Sequence, residues 1–118
     1  MKHNFKNLNI WKLSVDLTNE IYNLTDNFPK SELFGLTSQI RRCSVSVASN
    51  IAEGSSRSSN KDFNRFLEIS LGSLYELQTQ IIISANRNYF ETSKLEIIEN
   101  KIEELQRMIS GFQKTLKF

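Results

Sequence analysis

A chain of 118 residues with 15 basic and 13 acidic side chains, one histidine and one cysteine has the size of one ordinary domain, 1–118, and needs neither a disulfide nor a metal to fold. The single thiol excludes an intramolecular disulfide framework and fits a reducing, cytoplasmic setting. Lys2 and Lys6 are followed by no apolar signal-peptide core, and the longest strongly apolar run, Ile81 to Ala85, is far too short to span a bilayer, so no membrane association is expected.

One proline and four glycines leave room for long uninterrupted helices, and no alternating strand pattern interrupts them. The first helix is expected over about 8–27, with Asn7 as its N-cap and Pro29 beyond its end. Trp11, Val15 and Tyr22 mark its apolar face, which Leu17, Ile21, Leu24 and Phe28 extend.

The second helix is expected over about 32–53. Its opening "SELFG" reads as a separate turn, with Thr37 available to cap a fresh start. Leu36, Ile40, Cys43, Val47 and Ile51 then form a narrow apolar stripe, and Gly54 suits the left-handed position just past a helix end. The third helix, about 60–88, is capped by Ser58 or Ser59 and aligns Phe63, Leu67, Leu74, Ile81 and Ala85. Gly72 in its interior costs about 1 kcal/mol relative to alanine, which points to a close backbone approach there. Ser93 and Glu96 have capping-box spacing and open the fourth helix, about 94–116. Its stripe of Leu95, Ile98, Ile102, Leu105, Ile109, Phe112 and Leu116 is the cleanest in the chain. Short connections between long amphipathic helices predict an all-α, antiparallel up-down-up-down four-helix bundle.

The second helix has more than one non-aqueous side. At about 100° per residue, Gln39, Arg42, Ser46, Asn50, Glu53 and Arg57 form a polar stripe directly beside the core stripe, and Val45, Ala48 and Ala52 form a small apolar stripe on the far side. The polar stripe predicts a partly buried network between helices two and three, with Arg42, Ser46, Asn50, Glu53, Ser73 and Glu76 as members; the alternative is a solvated groove. Val45, Ala48 and Ala52 are candidate contacts of a homo-oligomer, unless the helix is simply central to its own bundle.

Catalytic chemistry has little to stand on. His3 is the sole histidine, so no histidine-dependent triad exists, and no Glu-x-x-His pair serves a di-iron site. Cys43 lies on the core stripe without an evident base, and "EGSSRSSN" lacks the phosphate-loop pattern. Asp16 and Glu20 read as a solvated edge. The chain is expected to be no enzyme, with no cofactor, no metal and no catalytic residue.

Charge instead gathers in clusters: Lys2, Lys6 and Lys12 near the start, Arg41, Arg42, Arg57, Lys61 and Arg65 in the middle, and Arg107, Lys114 and Lys117 at the end. The acids collect in Glu96 to Leu105. Arg41, Arg57, Lys61 and Arg65, with Lys114 and Lys117 as outliers, are the candidate nucleic-acid contacts. No base-reading motif is visible, so specificity is expected to be low. The alternative is a structural or protein-interaction scaffold whose charge serves solubility.

Trp11, Phe28–Pro29, "LTSQIRR" at Leu36–Arg42, "SNIAEG" at Ser49–Gly54, Arg57, "RFL" at Arg65–Leu67 and "GSLYEL" at Gly72–Leu77 together resemble the four-helix bundle family of 23S rRNA intervening-sequence proteins. The resemblance covers about Leu8 to Tyr89. It implies a left-handed bundle assembled as a ring-shaped homopentamer, in bacteria. It further implies a relation to the accessory variability determinant of diversity-generating retroelements, whose members bind nucleic acid and a reverse transcriptase through a basic surface.

Overall fold

A computed structural model describes residues 3–118, so Lys2 of the first basic cluster lies outside the described residues. Four α-helices run in alternating directions: α1 (Asn9–Thr25), α2 (Leu36–Ser55), α3 (Asn60–Asn86) and α4 (Leu95–Thr115). Single 3-10 turns at Phe5–Asn7, Lys30–Glu32 and Thr92–Lys94 precede or connect them, and no strand occurs among the described residues. The molecule is an antiparallel up-down-up-down four-helix bundle, 45 Å long and 25 by 20 Å across. Its tightest pairing is α2 with α3, and its loosest is α1 with α4.

One core runs the length of the bundle. Ile21, Ile40, Ile51, Leu67, Leu74, Leu77, Ile81, Ile102 and Ile109 are fully buried, each contributing roughly 1.5–3 kcal/mol by leaving water. The stripes expected for α2, α3 and α4 are buried except at Leu36, Leu95 and Phe112, which are half-buried against the core. That of α1 holds in part: Leu17, Ile21 and Phe28 are buried and Trp11 and Leu24 pack against the core, but Ile10, Ser14 and Thr25 also face inward, Val15 is half-buried and Tyr22 is exposed. Ser14 and Thr25 tolerate burial because their hydroxyls donate to the carbonyls of Ile10 and Ile21, at 2.6 and 2.8 Å. Such back-bonding satisfies the polar group without a tertiary partner.

Several helix ends differ from expectation. Asn7 lies in the first 3-10 turn and caps nothing; Leu8 precedes α1 without a side-chain cap. Thr37 sits buried inside α2, and neither Ser93 nor any other side chain caps α4. The α2 N-terminus is instead closed by Glu32, whose carboxylate accepts from the Leu36 N–H at 3.1 Å. Ser59 does cap α3, accepting from the Asp62 N–H at 3.1 Å.

Gly54 is not left-handed; it is the penultimate residue of α2 and buried. A Cβ there would stand 2.7 Å from Phe66 Cβ and 2.8 Å from Phe63 Cδ1, so this glycine permits the close approach of α2 to α3. Gly72 shows the opposite: a Cβ would meet nothing within 4 Å, and no close approach within the chain accounts for it. The left-handed residue is Asn88, with φ 61°. The Asn88 N–H donates to the Ala85 carbonyl at 2.9 Å and the Tyr89 N–H to that of Ser84 at 3.0 Å, which is a Schellman closure of α3.

Candidate nucleic-acid interface and interhelix polar seam

The α2–α3 connection, the C-terminal segment after α4 and the N-terminal segment meet at one end of the bundle. Asn60 Nδ2 donates to the Lys117 carbonyl at 3.1 Å. The His3 ring lies 5.1 Å from that of Phe63 and 5.9 Å from that of Phe112. Lys6, Arg57, Lys61, Arg65, Lys114 and Lys117 therefore share this end, all exposed. Arg57 is paired with Glu53 at 2.8 Å and lies over the Phe66 ring; Arg65 is paired with Asp62 at 3.5 Å. Exposed pairs of this kind are worth at most about 1 kcal/mol, so a phosphate can displace either carboxylate. Lys6, Lys61, Lys114 and Lys117 make no ion pair among the described residues.

Arg41 belongs to another site. It stands about 21 Å of helix rise from Ser55, the last residue of α2, beyond which Arg57 lies. Its Nε donates to Thr25 Oγ1 at 2.8 Å, and its Nη2 reaches Asp26 Oδ1 at 3.0 Å. The guanidinium also lies 4.8 Å above the Tyr22 ring. With its side chain 23% exposed, Arg41 fastens the C-terminal end of α1 to α2.

Between α2 and α3 runs a seam of small polar groups. Ser46 Oγ and Ser73 Oγ are 3.1 Å apart, and Asn50 Nδ2 donates to both the carbonyl and the hydroxyl of Ser46, at 2.8 and 3.0 Å. The Cys43 thiol donates to the Ser73 carbonyl at 3.0 Å, and the Ser70 hydroxyl to that of Val47 at 2.8 Å. Cys43 and Ser70 were missing from the expected network; each occupies an apolar-looking stripe position, so only cross-helix geometry reveals its bond. Arg42 and Glu76 line the same groove but are exposed and form no ion pair with each other. Glu53 is turned away to Arg57. Three of the six expected members thus bond within the seam, and three occupy its wet rim or lie outside it.

Burial, and after it the charge of Glu76, pushes the Cys43 thiol up to about 12. A thiol so poorly ionised at neutral pH is no nucleophile. No group of three or more His, Cys, Asp or Glu side chains suited to a metal occurs among the described residues.

Glu32 is a further polar junction that sequence reasoning missed. Beyond capping α2, its carboxylate accepts from the Tyr89 hydroxyl at 2.9 Å. These two donors, with Arg87 nearby, hold its carboxyl below the usual carboxylate range. The α1–α2 and α3–α4 connections are joined through it.

Val45 is 40% exposed, with Ala48 and Ala52 half-buried beside it. Thr18 Oγ1 donates to the Ser44 carbonyl at 3.1 Å, on the side where α1 packs antiparallel on α2.

The fold and its sites define a four-helix bundle with a basic end and a polar seam between α2 and α3. No helix among them is long and apolar enough to cross a membrane. The sequence profile of the 23S rRNA-intervening sequence protein family matches residues 6–111, and the chain belongs to that family. A solved structure from Bacteroides thetaiotaomicron, a protein of unknown function of the S23 ribosomal protein family, has the same fold: TM-score 0.80 and 24% identity over 90% of this chain and 99% of that one. No curated protein matches the chain.

Proposed function

We propose that the chain is a non-enzymatic, oligomeric nucleoprotein accessory module of the cytoplasm, binding RNA or DNA with low sequence specificity through its basic end. The observation that carries this reading is the convergence of Lys6, Lys61, Lys114 and Lys117, none of them ion-paired among the described residues, beside Arg57 and Arg65 in weak exchangeable pairs. Arg41 contributes to stability rather than contact. Lysine contacts to phosphate release counterions, so affinity falls steeply with salt. Replacing Lys61, Lys114 and Lys117 with glutamate is expected to abolish binding at ~50 mM salt. Each single Lys→Gln change lowers the slope of log K against log salt by about 0.9 on duplex DNA. Undetectable binding of both RNA and DNA by the unaltered protein at that salt would sink the proposal.

Oligomerisation, as the homopentamer expected from the resemblance, is assigned to the small apolar stripe of α2 carrying Val45, Ala48 and Ala52. A reverse transcriptase is a proposed partner of the basic end, supported by the resemblance alone; co-purification that survives nuclease treatment tests it. The second reading, a scaffold without nucleic-acid binding, is favoured by the pairing of Arg41, Arg57 and Arg65 within the chain. Under that reading the lysine variants retain every interaction of the unaltered protein.

A further inference from the structure

Phe34 is 94% exposed, more than any other large apolar side chain among the described residues, and its neighbour Leu33 is 48% exposed. The turn beneath them is nonetheless held in place. The Leu33 N–H donates to the Lys30 carbonyl at 3.1 Å and the Gly35 N–H to the Glu32 carbonyl at 3.0 Å. The Glu32 carboxylate ties the turn to both α2 and Tyr89. A pre-organised apolar tip has little freedom left to lose on docking.

Between α1 and α4, the loosest helix pair, lies an open groove of about 490 Å³. Leu13, Leu17 and Leu105 line it, and Asp16, Glu20 and Glu104 edge it. Glu20 is paired with Lys101 across the groove; Asp16 and Glu104 have no ion pair among the described residues. The tip carries the opposite charge in Lys30, which is exposed and likewise without an ion pair.

We propose that the Leu33–Phe34 tip of one copy docks into the α1–α4 groove of a second copy, with Lys30 set against Asp16 and Glu104. This deepens the oligomeric part of the function proposed above and rests on it. The tip and the groove are different surfaces, so the contact is heterologous: each copy gives one tip and receives another, and repetition closes a ring where the rotation permits. A tip alone covers less than the roughly 1,200 Å² of a stable interface, and the Val45–Ala48–Ala52 stripe of α2 supplies the remainder.

Phe34→Ser and Leu13→Glu, both at exposed positions, test the contact by light scattering beside thermal unfolding. Each is expected to weaken assembly about tenfold or more while the melting temperature of the dissociated chain stays unchanged. Mixing the two variants is expected to yield a heterodimer, because the L13E copy keeps its tip and the F34S copy keeps its groove. Lys30→Glu is expected to weaken assembly, and Glu104→Lys in the same chain to restore it. An oligomer that persists unchanged in F34S overturns this contact alone. A monomeric unaltered protein overturns it together with the oligomeric reading, leaving the nucleic-acid part to its own test.

Discussion

Gly54 of α2 lies so close to Phe66 of α3 that a Cβ on the glycine would fall 2.7 Å from the Phe66 Cβ. The obstruction is the root of a side chain rather than its flexible end, so it cannot swing away. Gly54→Ala gains about 1 kcal/mol of helix propensity but forces α2 and α3 apart, at a typical overpacking cost of 1–3 kcal/mol. The expected outcome is a net loss of up to about 2 kcal/mol in denaturant unfolding. Gly72→Ala meets open space and is expected to gain up to about 1 kcal/mol. Equal effects at the two positions would contradict the packing described for Gly54.

Arg41 and the basic end separate stability from binding. Arg41→Gln removes the bonds to Thr25 and Asp26 and the contact over Tyr22. Because the side chain is partly exposed, a loss of about 1–2 kcal/mol is expected. Nucleic-acid affinity should not change, since Arg41 stands far from the lysines. Lys114→Glu is expected to behave oppositely, with unaltered unfolding and weakened binding. Thermal melts and filter binding on both variants check the pair.

The contrast explains what was legible in the sequence. The α4 stripe was readable because its inward positions are apolar save Gln106, whose amide donates to Gln78. The α1 face was legible at Trp11, Leu17, Ile21 and Phe28 but not at Ser14 and Thr25, which occupy inward positions and bond to their own helix while Tyr22 stays exposed. Gly54 resembled a helix stop because glycine suits the left-handed position, yet it stays helical against α3, and the left-handed residue is Asn88, past the end of α3. Cations cluster in sequence without declaring their partners: Arg41 and Lys61 look alike until Asp26 and Thr25 are found beside the first. Glu32 gave no signal, because the Tyr89 hydroxyl that completes its site lies 57 residues away.

Glu32 predicts a pH dependence. Its carboxyl is held below the ordinary value of 4.5, first by the Leu36 N–H, then by the Tyr89 hydroxyl, with Arg87 adding a smaller effect. A carboxyl depressed in the folded state stabilises above its unfolded pKa, and that contribution is lost as pH falls through the folded value. Glu32→Ala is therefore expected to melt below the unaltered protein at pH 7. The gap should narrow below pH 4.5 as the carboxylate takes up its proton. A gap that is constant down to pH 2 would mean that the charge contributes nothing.

The seam between α2 and α3 separates bonded polar groups from merely neighbouring ones. Ser46 and Ser73 share a hydrogen bond at 3.1 Å, supported by Asn50 on one side and by the Cys43–Ser73 contact on the other. Arg42 and Glu76 share only a groove, where water screens them. Double-mutant cycles are expected to divide accordingly. Ser46→Ala with Ser73→Ala should show a coupling of about 0.5–1 kcal/mol, the size of one partly buried hydrogen bond. Arg42→Met with Glu76→Gln should be additive within about 0.3–0.5 kcal/mol. Strong coupling of Arg42 with Glu76 would instead mean that the charged pair closes over the groove in solution. The register of α2 on α3 would then depend on that ion pair as well as on the serine hydroxyls beneath it.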